Sequence, residues 1–304
     1  MERERDRYQR MRASLRAVTM EQQQHSNPRC THSDSTILLV ALWAALHERP
    51  ISWATVSSNW PGDLRPRPPA PGQPGLPSQS CMSRRLRFDQ SVLELLDAWQ
   101  AALRQQLGNS DVKLIDGRGL VIGGCSKDRD AGFGYTAGTK AKGYKLHWII
   151  DAFSGAIDGW LLAPMNYSEP EAARCLIPHL PAHTRYVGLD NNYDRNDLYE
   201  QAGVEQGVQW MAMPRRNAKG LGHRQHSDWR LAVQPWLRSE QGRGTLKKVR
   251  VTIEQVNGRL GCSEVGLNHL PHHARRLHRV TLWVAVKILI LTDLQAVTGR
   301  RACA

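Results

Sequence analysis

The stretch Lys247–Leu260, KKVRVTIEQVNGRL, restricts this chain more than any other. Val249, Ile253, Val256 and Leu260 recur at i, i+4, i+7 and i+11, the spacing of one helix face. Arg250, Glu254 and Asn257 repeat that spacing one residue later, as a polar stripe roughly 100° around the same helix. Glu254 is therefore expected at the edge of a buried face, one turn from Arg250. A carboxylate positioned by packing suits a metal ligand. The same spacing also describes an ordinary i, i+4 Arg–Glu surface pair worth about 0.2–0.5 kcal/mol. Upstream carboxylates bear on the choice.

Two of them stand at the ends of expected strands. Val112–Asp116 reads as a short strand followed at once by Gly117 and Gly119, and Arg185–Asp190 as a second, broken by Asn191 and Asn192. An Asp that ends a strand is presented at the sheet's edge, where ligands and metals bind. Either one alone could equally be a turn former or a helix cap. Asp116, Asp190 and a helical Glu254, in that order, form a narrower pattern.

Residues 111–295 resemble the catalytic domain of bacterial insertion-sequence transposases of the DDE type. The motifs in register are LIDG around Asp116, DRDAGFGYTAGTKAKGYKLH at 128–147, LDNNYD at 189–194 and RVTIEQVNGRL at 250–260. The resemblance implies an α/β, RNase H-like fold with a mixed five-stranded sheet and flanking helices, and it puts the three acidic metal ligands on Asp116, Asp190 and Glu254. The family often has Tyr three residues before the Arg and Lys seven after the Glu; Lys247 and Gly261 stand there here.

Cleaving a phosphodiester needs attacking and leaving oxygens in line, with charge building on both, and two cations about 3.5–4 Å apart stabilise both. Hard carboxylate oxygens favour Mg²⁺, with Mn²⁺ as a substitute. The expected function is a DNA transposase that cuts insertion-sequence ends and joins them to target DNA. The alternatives are a catalytically inactive DNA-binding protein derived from a transposase, and an RNase H-like nuclease that never joins. The expected partners are terminal-repeat and target DNA, with a homodimer as the active complex.

Charge points to the same class of partner. Lys and Arg outnumber Asp and Glu by 41 − 28 = 13. Such an excess concerns partners rather than fold and favours a polyanion, nucleic acid above all. The six cysteines include no C-x-x-C pair, which argues against a zinc ribbon and a compact disulfide framework and fits a reducing cytosol. The apolar stretches Ile37–Leu46 and Val280–Leu291 are shorter than the about 20 residues that span a bilayer, so no membrane role is expected. The expected location is cytoplasmic, on the nucleoid.

In chain order, residues 1–34 read as a flexible N-terminal arm and 35–108 as a small all-α, helix-turn-helix-like DNA-binding domain with a Pro/Gly-rich loop at 61–77. Residues 109–298 read as the catalytic domain. Ser33 or Ser35 can cap the Ile37–Leu46 helix. Pro77–Arg87, capped by Ser78 or Ser80, reads as a recognition helix projecting Arg84 and Arg85 into a major groove, or else as an ordinary surface helix. The segment Gly132–Lys145 is rich in Gly and Lys, with Lys140, Lys142 and Lys145 placed to meet phosphates, or else it is a solvated loop. Tyr144–Asp151 and Ala156–Ala163 read as a hairpin. Pro214–Lys248 reads as a basic connection, with Arg215, Arg216, Lys247 and Lys248, joined by Arg250, expected on the DNA backbone. Trp229 and Trp236 within it suit core packing or an unpaired base. Val280–Ala296 is expected to close over the sheet. His269, His272, His273 and His278 lack a Cys or carboxylate at zinc-ligand spacing.

Overall fold

A computed structural model describes residues 2–21, 30–68, 70–123, 125–136, 138–214 and 226–302. Its first half holds helices α1 (Glu2–Glu21), α2 (Asp34–Leu46), α3 (Ile51–Ala54), α4 (Gln79–Phe88) and α5 (Gln90–Arg104). Strands β1 (Val112–Val121), β2 (Gly132–Thr136), β3 (Thr139–Asp151) and β4 (Ile157–Pro164) follow, then α6 (Glu169–Leu176), β5 (Tyr186–Leu189), α7 (Asn196–Gln206) and β6 (Gln209–Ala212). Three helices end the chain: α8 (Asp228–Arg238), α9 (Glu240–Gly261) and α10 (Leu277–Ala302).

These elements form two compact units. One comprises Met1–Gln106, Ser263–Leu267 and Pro271–Ala304; the other comprises Leu107–Cys262 and Asn268–Leu270.

The first unit is helical. Ser33 caps α2 by accepting from the Thr36 N–H, and Ser78 caps α4 by accepting from the Cys81 N–H. Residues 2–21, expected to be an arm, are a helix. Tyr8, Met11, Leu15 and Val18 form a buried stripe at i, i+3, i+7 and i+10, hidden in sequence by the charged residues around it. The Tyr8, Trp43 and Trp60 rings meet with centroids 4.7–5.6 Å apart. Helix α10 packs on α2, α4 and α5 and belongs to this unit, not to the catalytic one as expected. Leu277–Gly299 within it is long and apolar enough to cross a membrane, yet 78% of its apolar window is buried inside the fold. Its Lys287 is buried as well, donating to the Ala45 carbonyl at 2.8 Å and pairing with Glu48.

The second unit is built on a six-stranded mixed sheet, one strand more than expected. Strands β4, β3, β1, β5 and β6 lie side by side in that order, and β2 pairs with the first half of β3. Strand β3 is antiparallel to β1, β2 and β4, while β5 is parallel to β1 and β6. Side chains alternate between the two faces. One face gathers Ile115, Ile149 and Val187 with Leu176 of α6 and Leu198 and Ala202 of α7. On the other lie Leu114 and Leu246 of α9, both so close to Gly188 that a Cβ there would meet them. Ion pairs also sit in this sheet: Lys113, fully buried, contacts Asp151 at 3.0 Å and Asp158 at 2.9 Å.

Three expected assignments differ. Strand β1 does not end at Asp116 but runs five residues further, because Gly117–Val121 pair with Gly143–His147 of β3. The expected Gly/Lys loop 132–145 is the β2–β3 hairpin and its continuation. The basic connection 214–248 is largely the helices α8 and α9; Arg215 and Arg216 lie outside the described residues.

Candidate active site

Asp116 sits in mid-strand, across from Trp148 of β3. It shares a face with Leu114 and Arg118, the face that α9 covers. Asp190 follows β5 directly and accepts from the Asn191 N–H at 2.6 Å, opening a short 3-10 turn. Parallel pairing of β1 with β5 brings the two aspartates to neighbouring strands.

Helix α9 is tied to both. Leu246, Ile253, Val256 and Leu260 are its buried side chains, close to the predicted stripe. Arg250 reaches Asp190 with Nη1 3.3 Å from Oδ1. Seven residues on, Arg118 of β1 donates to the Asn257 carbonyl and, at 3.0 Å, to Oδ1 of Asn268. Glu254 lies on the turn between Arg250 and Asn257, so its backbone is held beside the strand that carries Asp116. Its carboxylate is exposed.

The electrostatics single out Asp116. Burial pushes its carboxyl up to about 6; the Gly117 N–H and Arg250 oppose this, while Glu169 and Asp190 add to it. Glu169, in the first turn of α6, was missed at the sequence level. An acid in a first helical turn suits the helix dipole whatever it faces, and only folding brings this one near Asp116. Lys145 Nζ lies 3.1 Å from Oε1 of Glu169, and Asn192 Nδ2 donates to Oε2 at 2.9 Å. Beneath them Tyr193 is fully buried, its hydroxyl raised well above the usual phenol range by burial and by Glu169, Asp116 and Asp190.

A divalent cation can be tested against these groups. Asp116 and Asp190 offer hard oxygens, and the Asp116 carboxyl is raised first by burial and then by the charges of Glu169 and Asp190. The buried Tyr193 hydroxyl near them has no hydrogen-bond partner among the described residues. The donor chemistry fits Mg²⁺ or Mn²⁺. Among the described residues, no three His, Cys, Asp or Glu side chains stand together as a ready-made metal site, and Glu254 is exposed.

The expected DNA-contacting residues divide. Arg84, Lys140, Lys247 and Lys248 are exposed. Arg85 is not: it is 5% exposed, bonded to the His32 carbonyl and paired with Asp34 and Asp89, so it holds the helical unit together instead of reaching a groove. Lys145 is engaged by Glu169, Lys142 donates to the Ser126 carbonyl at 2.8 Å, and Arg250 serves Asp190. Trp229 and Trp236 pack against the sheet's core. His273 stacks edge-on against Trp283, and His269 bridges to Val121.

A mixed sheet in this order, with two aspartates on adjacent strands and a helix bearing a third acid across its face, defines an RNase H-like catalytic domain. The chain belongs to the transposase DDE domain family, whose model matches residues 108–292, well over half of its 304 residues. No curated protein and no solved structure matches the chain. The family makes it a transposase, a protein that acts on DNA.

Proposed function

We propose that this transposase cuts insertion-sequence ends and joins the freed 3′ ends to target DNA, with Asp116, Asp190 and Glu254 as ligands of two Mg²⁺ ions that Mn²⁺ can replace. The supporting observation is the Arg250–Asp190 contact. It ties α9 to the strand end that carries Asp190, and Glu254 follows Arg250 by one helical turn on the same helix.

When bound, the metals supply charge stabilisation to the attacking and leaving oxygens. The chain's own residues do the rest. Arg250 offsets the charge on Asp190 and lowers that felt by Asp116. Lys145 and Asn192 hold Glu169 in place. Arg118 anchors the far turn of α9. Exposed Lys140, Lys247 and Lys248 lie on the same unit and meet the DNA backbone, while Arg84 of α4 reads the element's ends. The active complex is a homodimer working on the nucleoid.

The test is incubation of the full chain with Mg²⁺ and a plasmid carrying the element's own ends. Excised and joined products support the proposal. Nicked or linear products without joining would make the chain a nuclease, and no cleavage at all would leave only DNA binding.

A further inference from the structure

Strand β2 alternates Gly132-Phe133-Gly134-Tyr135, and the alternation has a structural cause. Cβ atoms on Gly132 and Gly134 would collide with the Asn166 side chain and the Met165 carbonyl. One face of the hairpin therefore lies bare against residues 165–166, immediately before α6 and its Glu169. The other face carries Phe133 and Tyr135, 58% and 72% exposed. Directly across the hairpin, Phe133 pairs with Lys142 and Tyr135 with Lys140. The Lys142 ammonium lies 5.7 Å from the Phe133 ring centre.

Core packing explains neither ring. Both line an open cleft of about 600 Å³ together with Tyr167, Lys145, Glu169 and Asn192. Glu169, one of the residues lining it, carries a charge that reaches Asp116. Exposed aromatic faces stack on bases of any identity, and flanking cations meet the phosphates between them. Bases inside a duplex have both faces covered by their neighbours. Only an unpaired base can stack here.

We propose that the β2–β3 hairpin is a platform for unpaired DNA, with Phe133 and Tyr135 stacking one or two bases beside the phosphate presented to Asp116, and the exposed Lys140 on the backbone next to them. This rests on the DNA-acting reading of the same site and adds the strand state that the site accepts.

The experiment measures binding of the full chain to fluorescein-labelled dT12 and to a blunt 30-base-pair duplex, with Phe133→Ala/Tyr135→Ala and Lys140→Ala variants beside the wild type. The aromatic variant should bind dT12 about tenfold or more weaker, as expected for losing about 1–3 kcal/mol of stacking per base, while its duplex affinity stays within about twofold. The lysine variant should weaken both substrates alike. Tyr135→Trp should restore most of the dT12 affinity to Phe133→Ala, which a misfolded hairpin would not allow. If wild type binds the duplex and the aromatic variant leaves the dT12-to-duplex ratio unchanged, the platform is refuted and the DNA-acting reading stands. If wild type binds neither substrate, both are refuted.

Discussion

Asp116→Asn replaces an ionised carboxylate that its surroundings disfavour with a neutral group of the same shape. The carboxyl's rise from 3.8 to about 6 comes first from burial and then from Glu169 and Asp190. At about 1.36 kcal/mol per pKa unit this disfavours the ionised, metal-free site by up to about 3 kcal/mol. The sign follows from the raised folded value. The wild type's stability is fully present below the unfolded value of 3.8, where Asp116 is neutral in both states, and is lost as pH rises through about 6. The Asn variant has no such loss. Without metal it should melt with the wild type near pH 4 and up to roughly 5–10 °C above it at pH 8, taking about 2–4 °C per kcal/mol for a domain of this size. Added Mg²⁺ should stabilise the wild type at pH 8 and leave the variant unmoved. Thermal melts at pH 4 and 8 with chelator and with Mg²⁺ measure all four values. An Asn variant that melts at or below the wild type at pH 8 in chelator would refute the argument, because Asp116 would then not be a strained charge.

Other substitutions separate structure from function. Lys113→Met leaves Asp151 and Asp158 buried without their shared cation and should cost about 3–5 kcal/mol of stability in a denaturant titration. Arg85→Ala should destabilise the helical unit by a similar amount, whereas Arg84→Ala should leave the melting curve unchanged and weaken binding to the element's ends in a competition assay. Arg250→Ala removes a charge that lowers the Asp116 carboxyl, so the acid limb of the cleavage pH profile should move to higher pH.

Much of this was readable from the sequence. The stripe Ile253, Val256 and Leu260 gave the buried face of α9, and Ser33 and Ser78 were in place as caps. Glycine misled twice. Gly117 and Gly119 suggest a strand's end, yet β1 continues through them, since a Cβ on either would crowd His147 or Thr136. Gly132 and Gly134 mark a close approach of backbones, not a loop. Arg85 was misassigned although it follows Met82 by three residues and so shares its buried face. Glu169 was beyond reach, because nothing local to α6 signals that Asp116 will lie beside it.

Crystals of the full chain grown with Mn²⁺ and a DNA end, examined by anomalous diffraction, test the central claim most directly. The account predicts metal within about 2.0–2.3 Å of oxygens from Asp116, Asp190 and Glu254, with Glu254 turned inward from solvent. Metal held by Asp116, Asp190 and Glu169, with Glu254 still exposed, would contradict it.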